Sequence, residues 1–469
     1  MRDGIILQAA DLAVTAPPLW KHQADAVEFC TDRKGSLLHM GLGTGKTRVA
    51  VQLLEDWGAK SAIAICPLSV IQTWVEQVEE FSRRDWIIVT LGGRGSGTVA
   101  KKTKRAKAEM QRAHQTGRPI LLVLNFEAVY REPFGSWAIR QGFDVLICDE
   151  SHRLKAHKGV QSRYASRLAK SIPRHLLLTG TPMPSGSPVD VFAQFRILDP
   201  SIFGESYFRW RNRYCVMGGF GGHEIVGHKN EEDLKRKLAS VTFQVGREVL
   251  DLPEATHTRR VVELGPEAAA VYAAVERGMR VQIASGEINP SNALVKLLRL
   301  MQISGGHAAT DDGGEVIDTA KEDELCSLFQ EMGPDEPVVV FAQFKHDLAA
   351  IHRAAARAGR QSAELSGSRR ELEEWKRPDG PPVLAAQIHS GGVGVSLVRA
   401  RFTVYYSTGY NLGDFIQSLA RCHRPGQEHP VGFYHLIAAG TIDEKVSEAL
   451  RKKQSVVDAI LDHLKPQEA

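Results

Sequence analysis

Short runs of apolar, strand-favouring residues recur through this sequence. In the first half they are Ala62–Cys66, Trp86–Leu91, Ile120–Leu124, Val145–Cys148 and His175–Leu178. In the second half they are Val338–Phe341, Val383–Ile388, Thr403–Tyr406 and Phe433–Ile437. A strand with one wet face alternates apolar and polar residues, whereas a run that is apolar on both faces must be covered on both sides. Helical patterns lie between the runs. In Leu68–Phe81, for example, Val70, Trp74, Val78 and Phe81 recur at three- and four-residue steps, which marks one face of a helix. Strands alternating with helices predict an α/β fold with parallel sheets.

The middle of the chain reads differently. From Val189 to about Ile303 the patterns are mainly helical, as in Asn292–Gln302, and no strong strand run stands out. A Gly/Asp stretch follows, from Ser304-Gly305-Gly306 to Asp311-Asp312-Gly313-Gly314, and reads as a connection. The expected plan is a first lobe over residues 1–188, a helical protrusion over 189–303, a linker over 304–320 and a second lobe over 321–469 that ends in a helix.

Composition narrows the class. Hydrophobic residues at 43% and charged residues at 24% exclude a disordered tail or a coiled-coil rod. Lys plus Arg is 59 against 55 for Asp plus Glu, an excess that permits a nucleic-acid partner without arguing for one. The six cysteines are scattered, with no C-x-x-C pair, so neither a zinc site nor a disulfide framework is expected. No apolar run approaches the ~18 residues of a membrane span, and Asp3, Gln8 and Asp11 break any signal-peptide pattern. An intracellular, cytoplasmic location is expected. The charge run Lys101–Lys107 reads first as a solvated helix face.

Three segments carry chemistry. The first is Gly41-Leu42-Gly43-Thr44-Gly45-Lys46-Thr47, with a helical pattern behind it. Glycines such as Gly43 and Gly45 let backbone N–H groups turn toward phosphate oxygens, and the following helix aims its N-terminus at the same anion. Lys46 would reach the terminal phosphates, and Thr47 would bind Mg²⁺. The strict pattern asks for glycine at position 40, where this chain has Met40. The second segment is the buried run Val145–Cys148, which ends in Asp149 and Glu150. At a strand end, Asp149 can hold the metal and Glu150 can orient or deprotonate the attacking water. The third is Gln417–Arg424, in which Arg421 and Arg424 stand three apart and are expected on one helical face. A guanidinium pair of this kind can brace developing phosphate charge.

Read together, these segments resemble a superfamily 2 helicase-type motor and, more narrowly, the Swi/Snf-type ATPases. The ordered series runs from about Trp20 to Leu450. It includes Leu19–Gln23, Gly43–Thr47, Cys66-Pro67-Leu68-Ser69 followed by Trp74, Asn125-Phe126-Glu127, Asp149–Lys155 and Leu178–Pro182. In the second half it includes Leu250–Pro253, Val340–Phe344, Leu365–Ser368, Ser390–Leu397, Gln417–Gln427 and Thr441–Val446. Ser151 stands where the family usually has Ala, and Ala156 where it has Asn.

The resemblance implies two RecA-like lobes, a helical protrusion after the first and a C-terminal brace helix. It implies that ATP and Mg²⁺ are used, with Gln23, Gly394 and Gln417 joining the nucleotide contacts. His152, Thr179 and Thr181 would couple hydrolysis to movement. Pro67, Ser69, Asn125, Gln343 and Ser390 would touch the DNA backbone. The implied partner is duplex DNA, with a possible targeting protein and a monomer sufficient for turnover. The implied setting is nucleoid-associated, in bacteria or their viruses. A strand-separating helicase and the motor subunit of a restriction or defence complex are the competing readings.

Overall fold

The computed structural model describes residues 17–92, 97–185, 187–219, 221, 224–284, 290–308, 315–388 and 395–461. The chain folds into two compact units. Among the described residues, one holds Pro17–Pro182 together with Pro188–Val249; the other holds Met183–Ser187 and Leu250–Leu461.

The first unit is built on a sheet of β1 (Gly35–Met40), β2 (Ser61–Cys66), β3 (Ile87–Thr90), β4 (Ile120–Asn125), β5 (Val145–Asp149), β6 (Arg174–Thr179) and β9 (Thr242–Val245). Their order is β3-β4-β2-β5-β6-β1-β9, and every pairing is parallel. The central strands are apolar on both faces because helices cover both; Ile63, Ile65, Leu122, Leu146, Ile147, Leu176 and Leu177 are fully enclosed. Strand β1 carries a weak sequence signal because only Leu37 and Leu38 stand out between Gly35, Ser36 and His39.

The second unit carries a parallel sheet ordered β10-β17-β16-β13-β15-β14. Its strands are β10 (Ala255–Val262), β13 (Val338–Ala342), β14 (Ser362–Leu365), β15 (Val383–Gln387), β16 (Phe402–Tyr405) and β17 (Val431–Ala438). Successive residues of β13 feed opposite cores. Val338, Val340 and Ala342 pack with Leu325, Leu348 and Ile351, while Val339 and Phe341 pack with Trp375, Leu397 and Phe433. That is why the run lacks polar alternation. The α/β expectation, with two parallel-stranded lobes, is borne out.

The stretch expected as one helical protrusion is more mixed. Between 189 and 303 the chain forms β9 and β10, and also an antiparallel pair, β7 (Cys215–Gly218) and β8 (Glu224–His228). Strand β9 completes the first sheet beside β1, and β10 edges the second sheet beside β17. Thus 189–249 belongs to the first unit and 250–303 to the second. The edge position explains why β10 is hard to read from sequence, since Thr256, His257, Thr258 and Arg259 are exposed and dilute the apolar signal. Within the expected linker, β11 (His307–Ala308) pairs with β12 (Glu315–Val316). Lys101, Lys102, Lys104, Arg105 and Lys107 lie on the helix Val99–Thr116, and of these all but the half-buried Lys102 face solvent, as the charge run suggested. Among the described residues, no helix is long and apolar enough to cross a membrane.

Candidate active site

In a parallel α/β sheet, ligands gather beyond the carboxyl ends of the strands. Strands β5, β6 and β1 are neighbours, with Asp149 opposite Leu178 and His39 opposite Thr179. This register brings three sequence-distant segments together at one edge: the glycine loop after β1, the acidic pair at the end of β5, and Thr179–Thr181 at the end of β6.

The loop is held from inside and outside. Gly43 and Gly45 adopt φ of 91° and 88°, backbone that a β-carbon disfavours. A β-carbon on Gly45 would also lie 2.3 Å from Gln23 Nε2. The Gln23 amide donates to the Thr44 carbonyl at 3.1 Å, and His22 Nε2 approaches the same oxygen at 2.9 Å. Gln23 is thereby buried against the loop backbone. Lys46 Nζ donates to the carbonyls of Met40 and Gly41 at 2.9 and 3.2 Å, within the curve of the loop. Gly45 caps the helix Lys46–Asp56, and Thr47 lies in its first turn.

Asp149 is buried at the end of β5. Its Oδ2 accepts the Trp74 indole N–H at 3.0 Å, and its Oδ1 accepts the Glu150 amide at 2.9 Å. Burial raises its pKa above the ordinary carboxylate value, as does the Glu150 charge, while Lys46 pulls it back down. Glu150 has φ of 53°, uncommon for a residue with a β-carbon, which turns the chain sharply out of the strand. His152 Nδ1 then lies 3.3 Å from Glu150 Oε2 and 3.1 Å from Thr179 Oγ1. Thr179 Oγ1 in turn accepts the Thr181 amide at 3.1 Å. An unbroken polar series therefore links Glu150, His152, Thr179 and Thr181.

The residues present fit a nucleotide with its divalent cation. The cradle excludes a β-carbon at Gly45, and an enclosed carboxylate and a loop-embedded ammonium oppose each other. Sequence reasoning missed Gln194 and the bond it makes with Ser151; Trp74 is the fully buried core residue that its helical spacing suggests, and it also donates to Asp149. The Ser151 hydroxyl donates to Gln194 Oε1 at 2.8 Å, and Gln194 Nε2 donates to the carbonyls of Pro182 and Asp190, both at 2.9 Å. The signal for this link was the serine at a position usually held by alanine.

Pro67 and Asn125 also fall together, because Cys66 pairs with Asn125 at the ends of β2 and β4. Pro67 caps the short turn Leu68–Val70, on which Ser69 is exposed, and Asn125 donates to Glu127 at 2.7 Å.

In the second unit, Gln343 follows β13, and its backbone amide donates to the Ser407 hydroxyl at 2.8 Å. Gln417 is buried on the helix Leu412–Cys422. Ser390 and Gly394 lie outside the described residues. Arg421 and Arg424 do not share a helical face. The helix stops at Cys422, His423 is extended, and Arg424 precedes Pro425, which disfavours helical backbone in the residue before it. Arg421 is buried in the last turn. Arg424 sits beyond it, half-buried, and burial holds its guanidinium below the ordinary arginine value. Among the described residues, Arg424 has no carboxylate partner.

Comparison with known proteins adds the following. The profile of the SNF2-related domain matches residues 22–305. "Putative protein p41" of Acyrthosiphon pisum secondary endosymbiont phage 1 is 27% identical over 94% of this chain and 97% of its own length. The Saccharomyces cerevisiae DNA repair and recombination protein RDH54 is 25% identical over 93% of this chain. The mouse DNA annealing helicase and endonuclease ZRANB3 is 25% identical over 94%. The chain spans 52% and 40% of those last two relatives. Among solved structures, the Sulfolobus solfataricus SWI2/SNF2 ATPase core in complex with dsDNA covers 95% of this chain and 93% of its own, with 21% identity and a TM-score of 0.45.

Proposed function

Since the chain belongs to the family of SNF2-related domains, we propose that it is an ATP-dependent motor that moves along duplex DNA and remodels protein–DNA or branched DNA structures. The observation that carries this reading is the polar series from Glu150 through His152 to Thr179 and Thr181. It gives hydrolysis at one strand end a physical route to the next. The yeast and mouse relatives, named for DNA repair, recombination and annealing, support DNA as the substrate surface. The phage relative supports a bacterial or viral setting.

In this reading Lys46 and the backbone of Gly43 and Gly45 hold the phosphates, and Gln23, Gly394 and Gln417 complete the nucleotide contacts. Thr47 and Asp149 would hold Mg²⁺, which supplies charge neutralisation at the phosphate oxygens. Glu150 aligns the attacking water and takes its proton. Arg421 and Arg424 would brace the charge that develops on the transferred phosphoryl group, a contribution of ~10³–10⁵ in rate in related chemistry. Pro67, Ser69, Asn125, Gln343 and Ser390 grip the DNA backbone and read little sequence.

The test is ATP turnover at one fixed salt with no nucleic acid, duplex DNA, single-stranded DNA, forked DNA and RNA. Preferential stimulation by plain duplex is expected, and Lys46→Ala abolishes it. A preference for single strands or forks would replace translocation with strand separation. Turnover that appears only with a co-purifying nuclease would make the chain the motor subunit of a restriction complex.

A further inference from the structure

The helix Val160–Ala169 carries the chain from the end of β5 back to the start of β6. Arg163, Arg167 and Lys170 stand at i, i+4 and i+7 along it and just beyond it, so they share one face. They line an open groove of about 510 Å³ with Arg196, from the helix Val189–Leu198, and Glu205. Glu205 is already paired with Lys170 at 3.0 Å. Among the described residues, Arg163, Arg167 and Arg196 have no carboxylate in ion-pair contact. Among the described residues, half-buried Arg196 donates only to the His157 carbonyl at 3.4 Å and has a buried Nε without a hydrogen-bond partner. Burial depresses its pKa, the Glu205 charge opposes the fall, and Arg163 adds to it. The groove therefore concentrates like charge around a single carboxylate.

The positive surface continues past the groove. His157 stacks on Tyr207 at 3.6 Å. Its imidazole is held below the ordinary value by burial and then by the charges of Lys158, Arg196 and Arg211. Phe208, 62% exposed, lies beneath the Arg211 guanidinium at 5.4 Å. Clustered cations of this kind, with one carboxylate among them, suit a phosphate backbone.

This surface is not the DNA path already proposed. Pro67, Ser69 and Asn125 lie at the carboxyl edge of the first sheet. Arg196 lies two residues from Leu198, whose carbonyl sits against Gly35 at the start of β1, and Lys170 precedes β6. The groove therefore runs along the helices Val160–Ala169 and Val189–Leu198 rather than across the strand ends that carry Pro67 and Asn125. At 1.5 Å rise per residue, Arg163 to Lys170 spans roughly 10 Å, about three phosphates of one strand at 3.4 Å each.

We propose that this groove binds the phosphate backbone of a second DNA segment, so that the motor holds one segment at the carboxyl edge of its first sheet and another along these helices. The inference rests on the DNA-motor reading. The test uses the full chain. A bead-bound 40-base-pair duplex captures a second, labelled duplex through the protein, while turnover stimulated by one short duplex is measured in parallel.

Wild-type protein is expected to bridge the duplexes. The variant R163E/R167E should cut capture at least tenfold, with short-duplex stimulation and melting temperature unchanged, and R163K/R167K should retain capture. Reversing two phosphate contacts should also lower the salt slope of bridging by roughly 2. Bridging by R163E/R167E at the wild-type level would overturn the proposal, as would a wild type that is stimulated by DNA yet captures no second duplex. Competition by polyglutamate equal to that by duplex would assign the groove to an acidic polypeptide and overturn it too. A wild type that DNA neither stimulates nor binds would instead refute the motor reading.

Discussion

Asp443→Ala should destabilise the second unit severely, and the structure sets the size of the effect. Asp443 lies in the first turn of the helix Ile442–Leu461. Its Oδ2 is 2.6 Å from Lys321 Nζ and accepts the Ala438 amide at 3.1 Å, and its Oδ1 accepts the Ser304 hydroxyl at 2.8 Å. The Lys321 side chain is 2% exposed, and it also donates to the Tyr406 carbonyl at 3.0 Å. Truncating the acid leaves the ammonium at that depth with the Tyr406 carbonyl and the charge of the buried Asp347 carboxylate, and breaking a buried pair from one side costs roughly 3–5 kcal/mol. Lys321→Met is the milder cut. Asp443 keeps two donors and is 14% exposed, so about 1–3 kcal/mol is expected. The double variant should cost less than the sum by at least ~1 kcal/mol, because the stranded charge is gone.

Urea unfolding reads these values. With a slope of about 2 kcal/mol/M, a loss of ~4 kcal/mol moves the midpoint by ~2 M. Hydrogen exchange at residues 442–452 should accelerate alongside. Equal midpoint shifts for the two single variants, or a double variant equal to their sum, would refute the reasoning.

The remaining predictions are more local. Arg424→Ala should leave nucleotide binding within twofold while turnover falls by ~10³; retention of more than a tenth of the rate would rule out a finger role. Trp74→Phe removes a donor from the Asp149 carboxylate and should cost about 1.5–3 kcal/mol. A urea double-mutant cycle with Asp149→Asn that shows no coupling would dismiss the bond. His307, buried, has its pKa pushed down to about 4 by burial, then by His346 and Arg353. The unfolded chain therefore takes up this proton first, and the His307 contribution to stability should be constant above about 6.5 and fall as pH drops from there toward 4. His307→Gln should flatten the fall, and an unchanged pH profile would count against the assignment. Gly45→Ala should weaken nucleotide binding at least tenfold through the 2.3 Å approach to Gln23, as read by titration with a fluorescent nucleotide.

Much of this protein was legible without coordinates because its signals are local. The nine apolar runs each became a strand, since a run apolar on both faces has few places to go except between two helical layers. Gly43 and Gly45 announced positive φ because only glycine adopts it cheaply. The elements that stayed hidden were those whose partners lie far along the chain. Strand β10 is polar on its exposed face and becomes a strand by pairing with β17, and β9 does so by pairing with β1.

The sequence by itself determined the chemistry: a glycine loop ahead of Lys46 and Thr47, carboxylates at the end of a buried run, and arginines near a later helix. Tertiary structure decided what those groups touch. Whether His152 meets Thr179, whether Trp74 reaches Asp149, and whether Ser151 finds Gln194 depend on the β5-β6-β1 register and on helix packing across the sheet. The same holds for Arg421 and Arg424. Their three-residue spacing suggested one helical face, and the helix ended between them, ahead of Pro425. Spacing specifies geometry only while the backbone stays regular; once a proline or a sheet register intervenes, the position of each side chain is set by residues distant in the chain.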